Sequence, residues 1–369
     1  MKGVSVMKSK AMVLEAPGKM SLKVFDVPET GPVDALLKVE MVGVCGSDVG
    51  MYHGKKSRKP RPFPIIMGHE MVGEIAEIGE TAAEYHGVQK GDRVIVEYAF
   101  GCGHCRNCRM GKYVQCESQF CYGSMISCDD PKHLWGAYSE YLYIAPHANV
   151  HKIGRDVPLE AAVLISAVLG NAIRWLRIIG GVTIGDTVVI EGPGQQGLAG
   201  VVAARESGAA NIIVTGTSVD TARMELAREF GATYCCNIDT EDPVELVRDI
   251  TGGDMADVVM EVSGHPQGLI TSFDLVGRGG TIVMPGLYGM DTEIPLMMDK
   301  VIYKEVKLLG TFSHNMVSVI PAIKLVESKK YALEKMVTHR FPLAEAETAV
   351  RVAAREVAGE DPIKVVIVP

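Results

Sequence analysis

Thr187-Val-Val-Ile-Glu-Gly-Pro-Gly-Gln-Gln-Gly197 is the stretch that decides the fold of this chain. A short β-branched run stops at a glycine, and a helical pattern from Gln195 to Ser207 follows it. The GxGxxG spacing puts Gly192, Gly194 and Gly197 at the turn between strand and helix. The first permits a tight turn, the second lets backbone approach a pyrophosphate, and the third lets the helix pack on the strand. The helix then opens with Gln195 and Gln196, whose unpaired N–H groups face a bound phosphate. The spacing alone is weak evidence, but between a strand and a helix it is specific.

Downstream, apolar runs continue to alternate with helical patterns. Asn211-Ile-Ile-Val-Thr215 leads to a helical Asp220 to Phe230, then Thr233-Tyr-Cys-Cys236, Asp257-Val-Val-Met-Glu-Val262, Gly280-Thr-Ile-Val-Met284 and Val306-Lys-Leu-Leu-Gly310. Such alternation specifies βαβ units and a parallel sheet. Upstream, Ala35 to Val44, Met71 to Ile78 and Gly91 to Val96 are short β segments separated by Gly and Pro, the mark of an irregular β-rich domain. The expected class is α/β, with a β-rich domain over 1–157 and a doubly wound parallel-sheet domain over 158–310. A return segment over 311–369 ends in Ile363-Lys-Val-Val-Ile-Val368. A lone strand needs a partner, so that segment is expected to rejoin the first domain.

With 369 residues the chain exceeds one ordinary core, and 47% hydrophobic with 22% charged residues is ordinary globular composition. No apolar run is read as reaching the roughly 20 residues of a membrane span, and no secretory signal is read at the N-terminus, so a cytoplasmic protein without a membrane partner is expected. The net charge of −8 argues against a nucleic-acid partner. One local run opposes that balance, Lys55-Lys-Ser-Arg-Lys-Pro-Arg61, which reads either as a solvated loop or as an anion-attracting rim.

Four of the nine cysteines fall within fifteen residues: Cys102, Cys105, Cys108 and Cys116, in a lobe over 98–120. The two-residue gaps turn successive thiolates toward one point and the later cysteine closes a tetrahedron, as in a structural zinc site with no open position. Iron–sulfur clusters use similar spacing.

Two further elements carry metal-ligand types, Gly43-Val-Cys-Gly-Ser-Asp48 and Gly68-His-Glu70. With the cysteine lobe, the Gly91-Asp-Arg-Val94 strand entry and the glycine turn, the chain resembles the zinc-containing medium-chain dehydrogenase/reductase family along essentially its whole length. The resemblance implies a GroES-like catalytic domain and a Rossmann domain, two zinc ions per chain, and NAD or NADP. It implies a catalytic zinc at Cys45, His69 and Glu70, with Ser47 as the first proton-relay hydroxyl. It also implies that Val262, Pro285 and Leu287, at the ends of two later strands, contact ribose and nicotinamide.

Three positions depart from the family's pattern. Gly50 stands where many relatives have a relay histidine, which leaves His53 as a candidate for that role. Ile165 stands where a further zinc ligand or water partner is common. Gly216 stands where an acid normally takes the ribose 2′-hydroxyl. Gly216 and Thr217 lack the charge that repels a 2′-phosphate and Arg223 is a candidate to bind one, while Asp220 is a candidate for the ribose; NAD and NADP both stay open. The expected function is hydride transfer between a secondary alcohol and NAD(P), on a small alcohol or carbonyl substrate, anionic if the basic run lines the substrate mouth. The alternatives are an NADPH-dependent carbonyl reductase and a non-catalytic scaffold. Family members are commonly homodimers or homotetramers.

Overall fold

The computed structural model describes residues 7–369, and the chain divides into two compact units, Met1–Ala167 with Ile323–Pro369, and Val168–Ala322. The first is the irregular β-rich one. A hairpin of Lys8–Ala16 and Lys19–Asp26 pairs with the short Ile65–Ile66. A larger sheet runs in the order Val150–Lys152, Arg93–Val96, Glu70–Ile78, Ala35–Gly43, Lys364–Val368 and Val337–Pro342, with Tyr141–Ile144 also on Ala35–Gly43.

The last strand enters this sheet beside one of the first: Val366 lies opposite Gly43 and Ile367 opposite Val42, antiparallel. Its other edge runs parallel to Val337–Pro342. Val365, Val366 and Ile367 are almost fully buried, so the strand is held by apolar packing as well as by backbone bonds. The unit boundaries fall about ten residues later than the change of sequence character. The first helical turn, Leu159–Ala162, belongs with the β-rich unit, and its Glu160 pairs with Arg340 at 2.5 Å.

The second unit is a six-stranded parallel sheet in the order Tyr234–Asn237, Asn211–Gly216, Thr187–Glu191, Ala256–Glu261, Val276–Met284 and Lys307–Gly310. Chain order therefore runs outward from Thr187–Glu191 in one direction and then from Ala256–Glu261 in the other. The place where it reverses is the switch point at which such sheets bind ligands, outside the carboxyl ends of the strands. Val188, Val189 and Ile190 are fully buried, as expected of a central parallel strand covered on both faces.

One sequence expectation needs correction. The helical segment Leu159–Ile179 is long and apolar enough to cross a membrane, although no such run was expected. Its apolarity has a packing cause, because 78% of the most apolar window is buried inside the structure. Much of it is π-helical, over Ile165–Gly170 and Ile173–Ile179.

Candidate active site and dinucleotide turn

Cys45 caps the short helix Gly46–Tyr52, with its own N–H donating to the Asp48 carboxylate at 2.9 Å. His69 and Glu70 arrive from the start of the strand Glu70–Ile78. They follow Gly68, whose φ of +88° is left-handed and whose absent side chain leaves room for the Tyr138 ring. These two local devices bring one ligand atom each from Cys45, His69 and Glu70 within 4.8 Å of one another. Such a group suits a metal of intermediate softness with mixed S, N and O ligands, and three protein ligands leave a coordination position open.

The surroundings hold these ligands in place. Asp48 is fully buried, with Oδ1 3.3 Å from His69 Nδ1, and the Tyr138 hydroxyl donates to its Oδ2 at 3.3 Å. Burial disfavours charge on His69, but Asp48 and Cys45 outweigh it and hold the imidazole well above its ordinary range. A carboxylate behind a metal-binding imidazole orients the ring and raises its basicity. Tyr98 lies against the same ring at 5.6 Å between centroids. Ser47 Oγ lies 3.3 Å from His69 Nε2.

Glu70 is fully buried, and its two oxygens differ. Oε2 is ion-paired with Lys364, also buried, which donates in addition to the Val44 carbonyl at 3.1 Å. Oε1 has no hydrogen-bond partner. A buried carboxylate oxygen without a partner is costly unless something cationic meets it, so the donor set fits a metal ion. Sequence reasoning missed Lys364. Its signal was a single lysine inside the apolar run Ile363 to Val368.

The four-cysteine lobe is built locally. Cys102, Cys105, Cys108 and Cys116 bring their sulfurs within 4.8 Å of one another. The Cys105 N–H points to Cys102 Sγ at 3.4 Å and the Cys108 N–H to Cys105 Sγ at 3.5 Å, bonds that favour thiolates. His104 turns Nδ1 to the Cys102 carbonyl at 2.8 Å, leaving the ligand group to the four thiols.

In the second unit, Gly192 has a φ of +109° and the helix Gln195–Ser207 starts at the Gly194 cap. A side chain at Gly197 would strike the Gly192 carbonyl, so the third glycine permits this close approach of helix to turn. Gly216 ends its strand beneath the turn, where an added Cβ would meet Met224 Cε at 2.7 Å and Pro193 Cγ at 2.9 Å. The turn is therefore closely packed at this position. Thr217 Oγ1 donates to Asp220 at 2.8 Å in a capping box, and Asp220 also pairs with Arg223 at 3.2 Å. Val262 N–H donates to the Glu191 carbonyl at 3.1 Å, next to the turn. Pro285 is half-buried, whereas Leu287 is 80% exposed just past its strand end, an apolar side chain open to a ligand.

One expected role requires correction. Arg223 is buried in the helix Thr221–Phe230, its guanidinium engaged with Asp220, so it is not presented to a 2′-phosphate. His53 ends the helix Gly46–Tyr52 and pairs with Glu356 at 2.7 Å. Ile165 is fully buried and brings no ligand.

One pair of groups was not anticipated. Glu191 and Glu261 stand opposite each other in the sheet, on the two strands that flank the switch point. Glu261 accepts from the Ser263 and Gly264 N–H groups at 2.9 and 3.1 Å and from the Tyr288 hydroxyl. Glu191 accepts from the Ser272 hydroxyl, and burial pushes its carboxyl up to about 8.

Residues 31–155 match the alcohol dehydrogenase GroES-like domain family, and residues 197–328 match the zinc-binding dehydrogenase family. A probable alcohol dehydrogenase of Mycobacterium tuberculosis is 36% identical over 98% of each chain. The erythritol/L-threitol dehydrogenase of Mycolicibacterium smegmatis is 31% identical, again over 98% of each. Among solved structures, a putative zinc-binding dehydrogenase of Sinorhizobium meliloti bound to NADP superposes with a TM-score of 0.86 at 26% identity, covering 98% of this chain and 100% of that one. The chain belongs to the zinc-containing medium-chain dehydrogenase/reductase family. It is an oxidoreductase of the alcohol dehydrogenase type.

Proposed function

We propose that this enzyme transfers hydride between a secondary alcohol and NAD or NADP, with one zinc ion at Cys45, His69 and Glu70 and a second at the four-cysteine lobe. The observation that carries the reading is Glu70, fully buried with Oε1 lacking any hydrogen-bond partner, next to the Cys45 thiol and the His69 imidazole. A zinc ion held there supplies Lewis acidity toward the substrate oxygen, and the nicotinamide supplies hydride exchange.

The protein's own residues do the rest. Asp48 fixes the His69 ring, and Lys364 holds one oxygen of Glu70 while leaving the other to the metal. Ser47 has the only hydroxyl of the Gly43 to Asp48 element and takes the proton that leaves the substrate oxygen. In the other unit, the N–H groups at Gly194 to Gly197 bind the cofactor pyrophosphate. Erythritol/L-threitol dehydrogenase, the name of one relative, supports a polyol-type alcohol, and the NADP-bound neighbour supports a nicotinamide cofactor. The glycine at 216 favours a second reading in the reducing direction with NADPH, since no carboxylate there repels a 2′-phosphate.

Metal analysis combined with a screen of secondary alcohols, read at the reduced-nicotinamide absorbance with each cofactor, tests both readings. Two zinc ions per chain and turnover are expected. A fully metal-loaded protein that turns over no alcohol or carbonyl with either cofactor would return the chain to the scaffold reading.

A further inference from the structure

The basic run Lys55 to Arg61 is exposed along most of its length and half-buried at Arg61. Its last part borders a recess of about 250 Å³ lined by Lys59, Pro60, Pro62, Ser118, Gln119, Phe120 and Met125. The donors there are built in yet incompletely satisfied. Gln119 is 4% exposed; its Oε1 accepts from Arg58 Nη2 at 3.2 Å, but its Nε2 is buried without a partner. Arg61 donates from Nη1 to the Ser124 carbonyl at 3.1 Å, while its Nε is likewise buried and without a partner. Lys59 Nζ donates to the Glu117 carbonyl at 3.1 Å.

Among the described residues, no carboxylate forms an ion pair with Arg58, Lys59 or Arg61. Three cations within four residues repel one another, and each buried donor without a partner adds a desolvation cost. An oxyanion would answer both. Met125, which lines the recess, packs against the same small apolar cluster as Tyr98, whose ring lies against His69. The positive recess and the candidate metal ligands are thus neighbours in the same unit.

We propose that Arg58, Lys59, Arg61 and Gln119 form a subsite for an oxyanion on the substrate, so that the preferred alcohol carries a phosphate or carboxylate group. The subsite rests on the alcohol dehydrogenase reading given above. Lys59 and Gln119 line the recess, with Arg58 bonded to Gln119 and Arg61 next in the chain to two of the lining prolines, and such ammonium, amide and guanidinium donors match an array of acceptor oxygens. The anionic group anchors the substrate there and presents the hydroxyl-bearing carbon toward Ser47 and His69.

Matched alcohols test this with the metal-loaded enzyme: propane-1,2-diol against its 1-phosphate, and butan-2-ol against 3-hydroxybutyrate. The anionic member of at least one pair is expected to have a kcat/KM at least tenfold higher, and the pair that shows it tells phosphate from carboxylate. The exposed double variant Arg58→Gln/Lys59→Gln is expected to lose that preference, mainly through KM, with the anionic alcohol falling at least tenfold more than the neutral one. Equal use of neutral and anionic alcohols, or equal losses on both, overturns the subsite while leaving the dehydrogenase reading intact. If no alcohol is oxidised, that reading fails, and calorimetric titration with inorganic phosphate decides the recess. Saturable binding that weakens at least tenfold in the double variant supports it, and absence of binding overturns it.

Discussion

The two candidate metal centres of the β-rich unit are assembled in opposite ways. The four-cysteine lobe takes all its ligands from one fifteen-residue segment, and its apolar cluster is small, comprising Ala99, Tyr113, Val114 and Cys121. The Cys45, His69 and Glu70 group gathers a helix cap, a left-handed turn and a strand start, with a lysine 294 residues further along neutralising one carboxylate oxygen. The first is a local device in which a metal replaces a core. The second is a product of the whole unit's fold. Removing ligands should therefore damage shape at one centre and chemistry at the other.

The largest expected contrast sets His69→Ala against Cys116→Ser. The first should lower kcat by roughly a thousandfold or more, since the Lewis acid leaves the reacting oxygen, while thermal unfolding stays close to that of the parent. The second should release the other zinc and open the lobe, seen as rapid proteolysis within residues 98–120. Metal content per chain should drop by one in each, and a variant that keeps both ions would break the contrast.

Next in size is Lys364→Met. It leaves the Glu70 carboxylate buried without its cation, at a cost of about 3–5 kcal/mol in urea unfolding. The comparison sharpens if the metal-loaded form loses less than the metal-free form, because a bound cation would compensate the same carboxylate.

Glu191 tests buried charge in the unit without metal ligands. Its carboxyl sits near about 8 when folded, against 4.5 for the unperturbed group. The folded state therefore holds the proton more tightly than the unfolded one. Stability from this group is full below pH 4.5 and is lost as pH rises through about 8, by up to about 5 kcal/mol. Glu191→Gln should flatten that slope in Tm measured from pH 5 to 9, and an unchanged slope would assign it elsewhere.

The smallest effect is expected at His53. Its partner Glu356 is 38% exposed and His53 is 36% exposed, a surface pair worth about 0–1 kcal/mol. His53→Ala should change kcat less than about threefold; a loss of a hundredfold would restore a relay role that the ion pair argues against.

Sequence made the local devices legible and hid the distant ones. The glycine turn, the parallel strands and the four-cysteine spacing are periodic or contiguous, so they could be read from residue order. Cys45, His69 and Glu70 became readable only through resemblance, because separate elements bring them together. Gly216 looked like an electrostatic choice about the cofactor, yet Pro193 and Met224 leave little space there. Arg223 was misassigned for a related reason: its nearness in sequence to the site said nothing of the carboxylate that engages it. Lys364 could not be paired from sequence at all.

The pairing of Lys364 with Glu70 also orders events during synthesis. A nascent chain that has just emerged past Cys116 already contains every sulfur of the lobe and can take up metal there. The site around Glu70 must wait until the strand Lys364–Val368 has been made and has slotted beside Ala35–Gly43. On the proposed two-metal reading, the lobe would receive its ion early and the Glu70 site would be completed last, so a chain ending before residue 364 would carry the lobe without a finished second site.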